Sequence, residues 1–380
     1  MTTLVINEEQ QMLKESARGF LQENAPIAEL RRLRDQRDPT GFSRDVWAQM
    51  VEQGFAGTLI PEEYGGFAFG HVGMGQIMEE SGRTLAASPL FATAVLGVSA
   101  VTLAGSQAQQ EELLVPMGQG ELLTALAVDE SGRHNPHLVR TRAEHNGDGY
   151  TLNGCKGFVL DGHVADRLIV SARTSGEATD QKGITLFLVD PGTAGVEVER
   201  TITVDSRNAA EVRLNDVELP AAAVLGQVDE GGAVLERVLD IGNAHLAAEL
   251  LGITLESFER TVKYLKERKQ FGVTLASFQA LQHRAADLFG EIELLKSAVV
   301  AALSALDEGD DEIEQLCSLA KARACKVAEL ATNEGVQMHG GMGMTDEFDI
   351  GLFLKRARAA QQTFGDDRYH AARFARLRGY

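Results

Sequence analysis

Two short runs of this sequence gather groups that bind anions and aromatic rings. The first is Tyr264-Leu-Lys-Glu-Arg268-Lys-Gln-Phe271-Gly272, followed shortly by Gln279. Arg268 offers a planar fork of donors that grips a pyrophosphate bidentately, which a lysine does not. An adjacent aromatic such as Phe271 covers an adenine or flavin edge. The plainer account is an arginine facing a helix dipole and a Phe-Gly stop. The second run is Gln337-Met-His-Gly340-Gly341-Met-Gly343. A helical pattern precedes it where a dinucleotide fingerprint needs a strand, so it is not a Rossmann turn. Bare glycines let backbone amides approach a phosphate or ribose, and they also make an ordinary helix C-cap. His339 reads as a capping or surface histidine, not a ligand.

Elements that would position these groups follow from the hydrophobic period. Residues 1–120 read as an N-terminal α-helical domain. Helix starts are signalled at Asn7-Glu-Glu-Gln10, at Ser43 and at Ser106-Gln-Ala-Gln109, and Pro61-Glu-Glu-Tyr-Gly-Gly66 breaks the pattern with a loop. In residues 121–228 the period changes to two. Strands are expected over Leu122–Val128, Asp148–Cys155, Arg167–Arg173, Gly183–Val189 and Ala210–Leu219, with turns at Asn146-Gly147 and Asn153-Gly154. Over residues 229–380 the helical period returns in four long segments, Leu235–Arg268, Gln279–Leu306, Asp311–His339 and Asp346–Thr363, most economically a four-helix bundle.

Composition narrows the partners. The 380 residues carry a formal charge of −19, which repels nucleic-acid backbones and anionic lipid, so neither nucleic acid nor membrane is expected. An anionic ligand would need a local basic pocket. The start of the chain lacks a basic, apolar leader and no window approaches 18 apolar residues, so a cytoplasmic protein is expected. Cys155, Cys317 and Cys325 have no metal-ligand spacing, and reduced thiols with no metal site are expected.

The order of these pieces carries a resemblance. A helical front, Pro61–Gly66, a β domain entered through Val128-Asp-Glu-Ser-Gly132, then Tyr264–Gln279 and Gln337–Gly343 together resemble the acyl-CoA dehydrogenase family over essentially the whole chain. The resemblance implies an α+β fold: an N-terminal helical domain, a middle β-barrel or sandwich, and a C-terminal four-helix bundle. It also implies an oligomer with FAD lying partly between subunits, an acyl-CoA substrate, and an electron-transferring flavoprotein as acceptor. On that basis Arg268, Phe271, Gln279, Gln337, Gly340 and Gly341 fall where the family contacts the FAD of a neighbouring subunit.

Family chemistry takes an α-proton from the thioester with a desolvated carboxylate while the β-hydride leaves for the flavin. In the commonest members a Glu stands 27 residues after the Gln resembling Gln337, and that position here is Phe364. Some relatives carry the Glu ten residues before the glycine resembling Gly252, and that position is Gly242. Asp240, Glu249, Asp366 and Asp367 lie nearby as weak candidates for a relocated base, although acidic residues on helices are usually solvated or capping groups. The Trp-Ile-Thr segment beside the flavin corresponds to Phe158-Val159-Leu160, keeping an aromatic and losing a hydroxyl.

These departures resemble the small subunits of heteromeric acyl-CoA dehydrogenases, of the pimeloyl-CoA dehydrogenase small-subunit type. Such subunits pair with a larger homologue that keeps the complete site. Three functions remain open: the small subunit of a heterotetramer that desaturates an acyl-CoA thioester, a self-sufficient homotetramer with a relocated carboxylate, and a non-catalytic scaffold of the same fold.

Overall fold

A computed structural model describes residues 6–380. Helix α1 (Glu8–Asn24) starts in a reciprocal capping box between Asn7 and Gln10. After α2 (Ile27–Asp35) comes α3 (Arg44–Glu52), whose first turn is capped by the Ser43 hydroxyl. Helix α4 (Gly70–Thr84) is followed by a π-helical stretch, Leu90–Gly97, that runs into α5 (Val98–Ala104). Ser106 and Gln109 form the capping box of α6 (Gln107–Gly118). All three helix starts expected from the sequence are present because each rests on contacts three residues apart.

The middle of the chain is an eight-stranded sheet of β1 (Thr124–Ala127), β2 (Arg142–Asn146), β3 (Gly149–Leu160), β4 (Arg167–Arg173), β5 (Ile184–Val189), β6 (Val196–Ile202), β7 (Asn208–Pro220) and β8 (Val224–Leu225). Its order is β6-β7-β3-β2-β4-β5-β8, and β1 pairs in parallel with β4. Leu152, Val159, Leu168, Val170, Phe187, Val212 and Val217 fill its core. Asn146-Gly147 is the expected turn, joining β2 to β3 with Gly147 at φ +61°. Asn153-Gly154 is not a turn. It lies inside β3, where the register against β7 shifts between Leu152 and Gly154. A Cβ on Gly154 would sit 2.3 Å from Thr141 Oγ1, so the glycine marks a close-packed bulge.

The last part is helical: α7 (Gly231–Glu267), a two-stranded hairpin of β9 (Lys269–Gln270) and β10 (Val273–Thr274), α8 (Gln279–Glu308), α9 (Ile313–His339), α10 (Ile350–Gln362) and α11 (Asp367–Leu377). The α+β class and the helix–sheet–helix order are those expected. Helix α11 adds a short member to the expected four. Helix α7 is the one described helix long and apolar enough to cross a membrane, with a window of mean hydropathy 1.2, and that window is entirely buried in the fold.

Backbone contacts divide the chain into two compact units. One comprises the chain up to Arg32, His71–Ala86 and Asn243–Tyr380; the other comprises Leu33–Gly70 and Ala87–Gly242. In the first, α4 and α7 meet backbone to backbone. A Cβ on Gly82 would lie 2.1 Å from Glu249 O and one on Gly252 would lie 1.8 Å from Glu79 O, so only glycine fits either place.

Candidate active site

One end of the C-terminal helices collects the first group of candidates. The Tyr264 ring stacks on His339 with centroids 4.2 Å apart, bringing the end of α7 to the end of α9. An Arg284–Glu334 ion pair ties the first turns of α8 to the same part of α9. At this end Arg268, Gln279, Gln337, Gly340 and Gly341 are all exposed. Among the described residues no carboxylate pairs with the Arg268 guanidinium. Phe271 is 86% exposed, adopts φ +54° and meets Phe278 edge-on at 6.2 Å. A Cβ on Gly340 or Gly341 would meet nothing within 4 Å, so a ligand can approach their backbone closely. An uncommitted guanidinium, exposed rings and bare backbone suit a ligand that is both anionic and aromatic.

His339 departs from its expected surface role. It is 5% exposed, its Nδ1 lies 2.7 Å from Gly335 O, and Phe348 packs edge-on against the ring. Burial lowers its pKa from the ordinary histidine value.

A second group lies on β3. Phe158 is 40% exposed at φ +53°, where the β3–β7 register shifts between Lys156 and Val159. A bulky residue at positive φ is strained and persists only where its surroundings hold it. The holding group was not evident in the sequence. Lys156 is fully buried, and its ammonium donates to Glu130 Oε1 at 2.6 Å, Ser171 Oγ at 3.0 Å and Val128 O at 3.2 Å. Glu130 also accepts from the Arg140 and Thr141 amides, and the Gly157 amide donates to Asp129 O. The Val128–Glu130 segment is thereby fixed against the strand that carries Phe158. Burial pushes the Glu130 carboxyl up, but the Lys156 ammonium and the donated hydrogen bonds outweigh it and leave the pKa below the usual value. A usable signal existed: Lys156 shares the period-two face of Tyr150 and Leu152, both buried.

The positions expected to hold a base carry none. Phe364 is buried, at φ +54°, in the bend between α10 and α11. Gly242 lies in the buried stretch of α7. Of the weak candidates, Glu249 is 3% exposed and accepts three hydrogen bonds of 2.8–2.9 Å from the Arg356 guanidinium. Asp366 caps α11, accepting from the Tyr369 amide, and Asp367 opens the same helix. Asp240 is 2% exposed on α7.

The same bend is gripped from beneath. Lys321 on α9 is fully buried and donates to Gln361 O at 3.3 Å, Thr363 O at 2.9 Å and Gly365 O at 2.8 Å. His370 Nε2 lies 2.9 Å from Phe364 O.

Helix α7 also buries His245, whose Nε2 lies 3.2 Å from His71 Nδ1. Burial, with the neighbouring His71, puts its pKa well below the ordinary histidine value. The unfolded chain takes up a proton there near pH 6.5 that the folded chain refuses. Stability is therefore expected to fall as the pH drops below about 6.5, by up to about 1.4 kcal/mol per pH unit from this group. Urea-unfolding midpoints between neutral and mildly acid pH check this. The His245→Leu variant should lose one proton's worth of the slope, and an unchanged slope would rule the effect out.

Sequence models agree with this architecture. The acyl-CoA dehydrogenase N-terminal domain matches residues 7–121, the middle domain 125–217 and the C-terminal domain 229–377. The chain is 31% identical over 364 residues to the 3-(aryl)acrylate reductase of Clostridium sporogenes, covering 93% of this chain and 94% of that one. It is 28% identical over 362 residues to the caffeyl-CoA reductase–Etf complex subunit CarC of Acetobacterium woodii, covering 93% and 94%. Among solved structures, a variant of the Tcur3481-Tcur3483 steroid ACAD superposes with a TM-score of 0.88 at 29% identity, covering 99% of this chain and 98% of that one. With three consecutive domains matched and this likeness along nearly its full length, the chain belongs to the acyl-CoA dehydrogenase family, FAD-dependent oxidoreductases that act on the CH–CH bond of acyl-CoA thioesters.

Proposed function

We propose that this chain binds FAD and acts in the α,β-desaturation of an acyl-CoA thioester as the small subunit of a heteromeric enzyme, in the cytoplasm, with a larger homologue supplying the base. One observation carries the reading: a buried phenyl ring occupies position 364 and a glycine position 242, while Glu249 is held by Arg356 and Asp366 is used as a cap. A carboxylate whose oxygens are committed to a guanidinium or to a helix cap is not turned toward a substrate proton, which a base must reach within hydrogen-bond distance. The likeness to the Tcur3481-Tcur3483 steroid ACAD supports a paired assembly.

Within that assembly Arg268 would pair with the diphosphate of FAD. Phe271 covers an aromatic edge, Gln279 and Gln337 offer amides, and Gly340 and Gly341 admit the ligand to their backbone. Phe158 would stand beside the isoalloxazine. When bound, the flavin would supply the acceptor for the β-hydride and an electron-transferring flavoprotein would take the electrons onward; the likeness to a subunit of an Etf complex supports that acceptor. Phe364 contributes no proton transfer in this chain and excludes water from its surroundings.

The test is the visible spectrum of the purified chain, recorded without oxygen before and after adding a series of saturated acyl-CoAs. No bleaching by the chain alone, with bleaching on adding the larger homologue, is expected. A bound flavin that bleaches with the chain alone would instead establish a self-sufficient enzyme with a relocated carboxylate. Absence of flavin and acyl-CoA binding even with the homologue present would make the chain a scaffold.

A further inference from the structure

Lys321 poses a question that packing does not answer. An ammonium buried where a methionine would fill the same volume costs desolvation, and cores do not retain such charges for stability alone. Its amino group donates to three carbonyls of one bend, those of Gln361, Thr363 and Gly365, with the Cys325 thiol beside it. Three acceptors around one nitrogen match the three N–H donors of an ammonium, although burial pushes the pKa of the group below the ordinary lysine value. His370 Nε2 donates to the carbonyl between them, that of Phe364, at 2.9 Å. The bend is also confined sterically: Gly365 has φ +101°, and a Cβ on it would lie 2.4 Å from Tyr369 Cδ1 and 3.1 Å from His370 Nε2. Phe364 is thus held at φ +54° by donors on two helices. A strained conformation kept by so many constraints points to a requirement on where its side chain stands.

We propose that Lys321 and His370 are positioning residues that hold the Thr363–Gly365 bend so that whatever side chain occupies position 364 is delivered to one fixed point. This rests on the reading that position 364 corresponds to the place of the proton acceptor in a subunit that carries its own base. The bend is then a cradle independent of the residue it carries: it aims a phenyl ring in this chain and would aim a carboxylate equally well.

The experiment uses the full-length chain with FAD bound and the Phe364→Glu substitution, and follows anaerobic flavin bleaching by a saturated acyl-CoA. Adding Lys321→Met is expected to slow bleaching about 100-fold, the scale of a misplacement near 1 Å. Acyl-CoA affinity and flavin content should stay unchanged. Adding His370→Gln, whose amide still donates, should keep the rate of the Phe364→Glu parent, and His370→Leu should lose it. A contribution from volume alone would not separate glutamine from leucine, and this pair decides the matter if Lys321→Met does not fold. Equal rates in Phe364→Glu, its Lys321→Met derivative and its His370→Leu derivative would overturn the proposal and leave the reading of position 364 standing. A Phe364→Glu chain that binds flavin and acyl-CoA without bleaching would overturn both.

Discussion

Phe364→Glu is expected to make the flavin of the isolated holo-chain bleach with a saturated acyl-CoA, faster than the parent by about 10²–10⁴-fold, the usual contribution of a positioned general base. Phe364 is 5% exposed, so a carboxylate placed there loses hydration and its pKa rises above the ordinary value near 4.3. The bleaching rate should therefore increase with pH through an inflection above that value and vanish on the acid side. Phe364→Gln is the control, similar in size and unable to accept a proton. A glutamate variant with flavin bound that stays yellow across short and long acyl chains would show that the proton is removed from some other direction.

Glu249 is expected to prove structural. Its carboxylate and the Arg356 guanidinium are 4% and 9% exposed and paired at 2.8 Å. Removing one partner of a buried pair leaves an uncompensated charge and costs about 3–5 kcal/mol. For a cooperative unit of this size that amounts to roughly 6–20 °C in Tm. Glu249→Ala should show this loss by calorimetry. The double variant Glu249→Leu/Arg356→Leu should return to within about 2 kcal/mol of the parent, since two apolar side chains replace both charges. Turnover of the assembled enzyme should survive the double substitution. A single Glu249→Gln variant with an unchanged Tm and no turnover would move Glu249 into the chemistry and favour a self-sufficient enzyme.

The parts of this fold legible in the sequence are those whose cause is local. The Asn7/Gln10 and Ser106/Gln109 boxes close within one turn, so four residues specify them. Strand β4 is legible because its largely β-branched apolar centre, Leu168-Ile169-Val170, is too short for a helix and is bounded by arginines. Strand β6 alternates Val-Glu-Val-Glu but buries none of its residues fully, so a short alternation of this kind owes its place to pairing with β7. Strand β2 offers a single buried residue, Ala143, and takes its identity from pairing with β3. The buried lysines were hidden for a different reason. Lys321 interrupts the stripe Cys317–Lys321–Cys325 at helical spacing, yet its acceptors are carbonyls some 40 residues away. Backbone acceptors leave no trace in residue types. The missing base was visible from position alone, whereas what grips the bend around it required the fold.

The discontinuous unit that unites the chain up to Arg32, His71–Ala86 and Asn243–Tyr380 has a consequence for biosynthesis. Helix α4 leaves the ribosome early, with Val72, Met74, Ile77 and Met78 all destined for burial. Its partner backbone at Glu249 and Gly252 follows only after about 165 further residues, roughly 8–33 s later at common translation rates. During that interval an apolar helix with glycines on its contact face waits without its seat. The nascent chain is therefore most vulnerable to aggregation while its sheet domain is emerging, and holdase chaperones that shield α4 in this window should raise the yield of folded protein.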